Sequence, residues 1–205
     1  MTEYLPGMEN ERRSVELSQW YTPPALAKRI AEFACGIAVG LAPRMLHVLE
    51  PSCGRGALVD AMLATGRVNF LQAVDIDPDN AVECRKRYGH ETRVFTDCED
   101  FLEWNQGTNY DLAVMNPPFE DGATEAHVRH ALKFAERVVC HCPLTTLAGV
   151  ERGESLWPRV QLHRLAICSS RPKYGAERCG MTDMCTIDVS RRRGWHRQTQ
   201  VEWWP

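Results

Sequence analysis

The residues best suited to chemistry are Asn116-Pro117-Pro118-Phe119, which follow the apolar run Leu112-Ala113-Val114-Met115. That run reads as a short buried strand. Two successive prolines at its end remove two backbone donors and fix φ twice, and the residue before each is pushed out of the α region. Asn116 is therefore held on a stiff, extended backbone, and Phe119 follows on an equally stiff base. The sequence thus offers a rigid side-chain amide, carbonyls with no competing N–H, and a flat apolar ring. Fixed acceptors and a stacking surface are preorganised recognition elements. A rigid turn closing a strand is the plainer account of the same four residues.

Three other stretches carry polar groups at predicted strand ends. In Leu49-Glu50-Pro51-Ser52-Cys53-Gly54-Arg55-Gly56, Gly54 and Gly56 leave the backbone open to close approach by a ligand. The dinucleotide spacing fails because position 59 is Val, and no Gly-Lys-Ser/Thr phosphate loop follows. Glu50 would repel a diphosphate and suit a cationic ligand. A plain strand-to-helix turn explains the glycines about as well. Asp75 ends the strand before Ile76-Asp77-Pro78. A carboxylate there can accept from two vicinal ribose hydroxyls, with Ile76 covering an adenine face. Asp77 before Pro78 reads as a helix cap. Asp100 and Phe101 end a third strand, where the acid can accept from an adenine amine and the ring can pack on the base.

Elements must place these groups together. Pro23 and Pro24 open a helical pattern with Leu26, Ile30, Phe33 and Ile37 on one face. From Met45 onward strands alternate with helices, which predicts βαβ units and a mostly parallel sheet. Counting the runs His163–Ser170 and Asp183–Arg191 gives seven strands. In such sheets ligands bind beyond the carboxyl ends of the strands, where strand order switches. Each unusual stretch lies at such an end.

The chain has 205 residues, 44% hydrophobic and 25% charged, the proportions of one ordinary globular domain. Residues 18–205 are expected to form it, after a charged lead-in at 1–17 unlike a signal peptide. No run reaches the roughly 20 apolar residues of a membrane span. Nine cysteines are scattered without framework spacing, and Cys35, Cys84, Cys140, Cys142 and Cys168 lie in apolar stretches that suit small core residues in a reducing cytoplasm. Cys140-His141-Cys142 would place both thiols on one face without a second ligand pair, so no metal site is expected. His127 and His130 read as surface or core residues. Residues 1–150 hold 14 Lys/Arg against 21 Asp/Glu, and residues 151–205 hold 10 against 6. A basic end is compatible with a polyanion partner, or is a solvated tail. Arg191–Arg193 and Trp195 could hold phosphates and a base. The same tail reads equally as an aromatic edge strand after a charged bend.

Taken together, the motifs resemble class I S-adenosylmethionine-dependent methyltransferases of the adenine-N6 type. Asn-Pro-Pro-Phe is that group's signature. Gln19-Trp20-Tyr21-Thr22-Pro23-Pro24 and the helix after it are similar to the N-terminal motif of amino-methylating DNA methyltransferases, which closes over the methionine end of the cofactor. The order of Thr-Pro box, glycine loop, ribose acid, Asp-Phe and Asn-Pro-Pro-Phe matches restriction-type enzymes with the cofactor half first. The resemblance covers roughly residues 18–145.

The resemblance implies a single Rossmann-like α/β domain with S-adenosyl-L-methionine as cofactor. It implies that Tyr21, Thr22, Glu50, Ser52, Gly54, Gly56, Asp75, Ile76, Asp100, Phe101 and Asn116 bind the cofactor. Asn116 and the Pro117 carbonyl would accept the hydrogens of an exocyclic adenine amine, Pro118 would keep the carbonyls fixed, and Phe119 would stack on the base. About 85 residues follow the box, too few for a separate recognition domain. Recognition is then loose, or falls to short loops or to a partner protein. DNA is the first expected substrate and RNA the second. Glutamine-N5 methylation of protein, or a silent cofactor-binding module, stands behind them.

Overall fold

The computed structural model describes residues 21–38, 45–106, 109–120, 122–171, 182–191 and 198–205. The lead-in at 1–17 lies outside them. Pro24 begins helix α1 (Pro24–Ala38), as the prolines predict. Ala27, Ile30, Phe33 and Ala34 are buried, with Leu26 packed at the margin; the side chain of Ile37 lies outside the described residues. Then come β1 (Leu46–Pro51), α2 (Ala57–Ala64), β2 (Val68–Asp75), α3 (Pro78–Tyr88), β3 (Val94–Cys98) and β4 (Tyr110–Met115). The chain continues through α4 (Ala123–Phe134), β5 (Ala135–Pro143), α5 (Val150–Ser155), β6 (Val160–Cys168), β7 (Met184–Arg191) and β8 (Gln200–Trp204). The start of α3 follows the expected capping. Asp77 accepts from the Asp79 N–H at 3.0 Å, and Pro78 fills a position whose N–H needs no partner.

All eight strands form one sheet in the order β3-β2-β1-β4-β5-β7-β6-β8. Strands β1 to β5 are parallel, β7 is antiparallel to both neighbours, and β8 is parallel to β6. Helices cover both faces. One apolar layer joins Ile30 of α1, Val59 of α2 and Cys84 of α3 to Val48, Leu71 and Val114. The other joins Val128 and Leu132 of α4 to Leu49, Ala113 and Met115. This is a Rossmann-like α/β domain.

The sheet has one strand more than the seven expected. Residues 200–204 form it, with Val201 beside Leu165 and Trp203 beside Ile167. Trp204 decides their place: its ring meets Phe33 edge-on at 5.6 Å, and the Arg29 guanidinium lies 5.6 Å from it. So this part of the tail is the edge strand. Arg191 ends β7, and its Nε donates to the Leu132 carbonyl of α4; Arg192, Arg193 and Trp195 lie outside the described residues. Strand order reverses around β1, which has β2 on one side and β4 on the other. The carboxyl ends of β1 and β4 therefore open the crevice in which such sheets bind ligands.

Candidate active site

A cavity of about 900 Å³ lies there, and it gathers most of the groups singled out in the sequence. Tyr21 and Thr22 line it from the chain before α1. Glu50, Ser52 and Gly54 line it after β1, Asp75 and Ile76 after β2, Asp100 and Phe101 after β3, and Asn116 and Pro118 after β4. Gly56, Pro117 and Phe119 are not part of its wall. Pro117 is buried and Phe119 half-buried.

The glycine loop is pinned to β2. The N–H groups of Ser52 and Cys53 donate to the Val74 carbonyl at 2.8 and 3.0 Å. Ser52 has φ 88, a left-handed conformation that costs a non-glycine residue about 1–3 kcal/mol. Such strain is kept where the surroundings impose it, and here it sits on the cavity wall. Gly54 has φ 51 and faces the Tyr21 ring, over which the Arg55 guanidinium stacks at 4.3 Å.

Gly56 departs from its expected place. A Cβ there would stand 2.5 Å from the Tyr88 hydroxyl, so this glycine admits a tyrosine of α3 and leaves no room beside it for a ligand. The Tyr88 hydroxyl lies 2.8 Å from the Gly56 carbonyl and 2.7 Å from Asp60 Oδ1, sharing one proton between them.

The two buried acids differ. Asp75 is held by three protein donors: Gly54 N–H on Oδ2 at 2.6 Å, and Asp77 N–H and Asn80 Nδ2 on Oδ1 at 2.9 and 3.2 Å. A carboxylate oxygen accepts about two bonds, so Oδ1 is filled and Oδ2 keeps one position. Paired reception of two hydroxyls, as the sequence suggests, is thereby narrowed to one. Burial raises the Asp75 carboxyl above the usual range, and its three donors oppose that rise. Glu50 is 2% exposed, and its Oε2 has no hydrogen-bond partner among the described residues. Burial pushes this carboxyl far up, and Cys84, Asp75 and Asp60 nearby add to the rise. A buried carboxylate oxygen without a donor, on a cavity wall, awaits a cation or a proton.

On the far wall, Asn116 Nδ2 donates to Thr22 Oγ1 at 2.9 Å. That bond ties the amide nitrogen to the Thr-Pro segment. The Pro118 carbonyl accepts from the buried Thr124 hydroxyl at 3.0 Å, so α4 braces the box. Ile76 is 53% exposed, an apolar side chain left at the cavity. Asp100 Oδ1 accepts from the Leu102 N–H at 2.9 Å, while Phe101 is buried.

His127 also lines this cavity, beside Phe101, although its sequence context gave only a core or surface histidine. Its helical spacing from Asn116 carried no signal, because a loop of unpredictable geometry separates them. His130 does read as expected: its Nε2 lies 2.9 Å from the Trp104 carbonyl. Cys140 and Cys142 are buried together in the core, and Cys142 Sγ lies 3.8 Å from Cys185 Sγ. Among the described residues no group of three or more His, Cys, Asp or Glu is placed to hold a metal. No described helix is long and apolar enough to cross a membrane.

Solved structures similar to this one include methyltransferases. A Pyrococcus horikoshii protein assigned as an RNA methyltransferase superposes with TM-score 0.73 at 16% identity, over 86% of this chain and 89% of its own. Magnesium protoporphyrin IX methyltransferase of Synechocystis PCC 6803, solved with S-adenosylmethionine bound, superposes with TM-score 0.57 at 11% identity, over 94% and 87%. The fold is that of the S-adenosylmethionine-dependent methyltransferases. In sequence, the chain is 36% identical over 72 residues to modification methylase CviBIII of Paramecium bursaria Chlorella virus NC1A. That stretch is 35% of this chain and only 19% of the relative. No family model matches the chain.

Proposed function

We propose that this protein transfers the methyl group of S-adenosylmethionine to the N6 amine of adenine in DNA, with short or relaxed sequence preference. The observation that carries the reading is the stiff Asn116-Pro117-Pro118-Phe119 box, whose Asn116 is bonded to Thr22 and lines, with Pro118, a cavity that Glu50 also lines.

The cavity residues fit the cofactor. The unpartnered Glu50 Oε2 suits the α-ammonium of its methionine end, Asp75 Oδ2 one ribose hydroxyl, and the exposed Ile76 an adenine face. When bound, the cofactor supplies an electrophilic methyl on a sulfonium. The chain's own task is to make a poor nucleophile react. An adenine amine is weak because its lone pair is delocalised into the ring. Asn116 Oδ1 and the Pro117 carbonyl accept its two hydrogens, which draws the nitrogen towards sp³ and aims the lone pair. Proline at 118 brings no competing N–H, and the Thr124 hydroxyl holds the next carbonyl aside. These acceptors are fixed before the base arrives, which is where their advantage lies. Phe119 supplies a stacking face worth roughly 1–3 kcal/mol. The base reaches it unpaired or flipped from the duplex. No general base of shifted pKa is required, since positioning accounts for most of the step; the methyl leaves the sulfonium as its thioether is released, and the methylated amine gives up its extra proton to water.

DNA is favoured by the Thr-Pro box and by the likeness to a viral modification methylase. RNA is the second reading, favoured by the superposition on a protein assigned as an RNA methyltransferase across most of both chains. The ten Lys/Arg against six Asp/Glu in residues 151–205 suit either polyanion. The test is tritiated methyl transfer to DNA, RNA and cell protein, followed by nucleoside mass spectrometry. We expect N6-methyladenine in DNA. Label confined to RNA selects the second reading, and cofactor binding without transfer to any acceptor overturns both.

A further inference from the structure

Beyond the residues that the sequence motifs assign, we infer that His127 recognises the 6-amino group of the cofactor's purine and so selects a 6-amino over a 6-oxo base. The inference rests on the proposed cofactor.

His127 stands in the second turn of α4, 7% exposed, on the wall of the cavity. Its Nδ1 lies 2.8 Å from the Ala123 carbonyl. A carbonyl can only accept, so Nδ1 carries the ring proton. The neutral ring then has a bare Nε2, an acceptor. Burial lowers the ring's affinity for a second proton, ahead of the opposing influence of the Ala123 bond and of Asp100. Nε2 makes no hydrogen bond to the described residues. Orientation is fixed twice, by the helix carbonyl and by the Phe101 ring, whose centroid is 5.6 Å away at 31°.

Phe101 and Asp100 form the same end of the cavity. Asp100 Oδ1 already accepts from the Leu102 N–H, which leaves Oδ2 for a ligand. The cavity wall therefore carries two acceptors, Asp100 Oδ2 and His127 Nε2, the acid near enough to the ring to act on its charge, together with apolar surface from Phe101, Ile76 and Pro118. A purine 6-amine has two N–H donors lying in the ring plane, one for each acceptor. A 6-oxo purine has an acceptor at that position and meets lone pairs on both sides. A site built around a donor rejects the analogue lacking it, because its buried acceptors are left unpaired.

The experiment compares S-adenosylhomocysteine with S-inosylhomocysteine by calorimetry, on the wild-type chain and on His127→Phe, which keeps a ring against Phe101 and removes Nε2. We expect the wild type to prefer the adenosine compound by about 100-fold or more, and His127→Phe to lose roughly tenfold of that ratio. A merely structural histidine would weaken both ligands equally and leave the ratio unchanged, which overturns the inference. A second measurement needs no variant. In wild-type protein with ¹⁵N-labelled histidine, one bare Nε2 resonance should move upfield with S-adenosylhomocysteine and stay put with S-inosylhomocysteine. No shift with either ligand, both being bound, also overturns it. Failure of the wild type to bind S-adenosylhomocysteine at all is a separate result, and it removes the cofactor reading itself.

Discussion

Thr22 and Asn116 stand 94 positions apart, and the Asn116 Nδ2 donates to Thr22 Oγ1 at 2.9 Å. One bond joins the segment before α1 to the end of β4, and in it the amide nitrogen is the donor. Two substitutions separate holding from reacting. Asn116→Ala should reduce transfer by about 100-fold or more while cofactor affinity hardly changes, since its acceptor is meant for the target amine. Thr22→Val keeps shape and loses the hydroxyl. It should slow transfer roughly five- to tenfold, the equivalent of one neutral hydrogen bond, and Thr22→Ser should restore it. Single-turnover rates and calorimetry on the same preparations decide this. A parallel fall in cofactor affinity for Asn116→Ala would place the residue among the cofactor's holders.

Gly56→Ala tests the packing beneath the loop. The new methyl would meet the Tyr88 hydroxyl at 2.5 Å and its ring carbon at 2.8 Å, on a backbone with φ 82. Strain and overpacking together should cost about 2–4 kcal/mol. Gly54→Ala is the control: at φ 51 it shares the backbone strain, but its methyl would meet only the Tyr21 ring at 3.4 Å, an ordinary contact. Urea unfolding should show a large fall in midpoint for the first and a much smaller one for the second. Equal midpoints would mean that Tyr88 swings aside freely.

These positions show what was legible in the sequence. Strand ends and the polar groups beyond them were readable, because apolar runs, prolines and capping residues act locally. Thus Glu50, Asp75, Asp100 and Asn116 all read as polar groups at strand ends, and all four line the cavity. What proved unreadable depends on partners distant in the chain. Gly56 reads as an open approach for a ligand, yet Tyr88, 32 residues later, fills that space. Asp75 reads as a free carboxylate, yet the loop it faces supplies one of its donors. His127 gave no signal, because its meaning comes from Phe101 across the cavity. The eighth strand was one of two equal readings of the tail until Phe33 gave Trp204 a surface to bury.

His141 makes stability depend on pH. It is fully buried between β4 and β7 neighbours in the sheet, with Nδ1 3.0 Å from Thr186 Oγ1, and burial lowers its pKa to about 3. In the unfolded chain the ring titrates near its ordinary value of about 6.5. Above that value both states are neutral and the residue costs nothing. As pH falls below it, the unfolded chain takes a proton that the native state refuses, so stability is lost down to about pH 3. The loss approaches about 1.4 kcal/mol per pH unit within that window. Glu50 and Asp75, whose carboxyls are raised by burial, act in the opposite sense, so the measurement is a difference. Urea unfolding of wild type and His141→Gln should converge between pH 7 and pH 5. A constant gap would show that the ring protonates without unfolding.

Glu50 couples cofactor binding to protons. Its carboxyl is raised by burial first and by neighbouring acids second, so the ligand-free site favours the protonated form over a wider range than an ordinary glutamate. A cationic ammonium beside Oε2 favours the ionised form and lowers the pKa again. Binding must then expel a proton wherever the pH lies between the two values. By linkage, affinity should rise with pH across that interval and level off above it. Calorimetry of S-adenosylhomocysteine in buffers of different ionisation enthalpy should show proton release. Glu50→Gln, which cannot ionise, should bind about tenfold or more weakly, as expected for a hydrogen bond to a charged partner, and should release none from this site. Binding that takes up protons, or is indifferent to pH in the wild type, would mean that the ammonium lies elsewhere and that Glu50 stays neutral behind the wall.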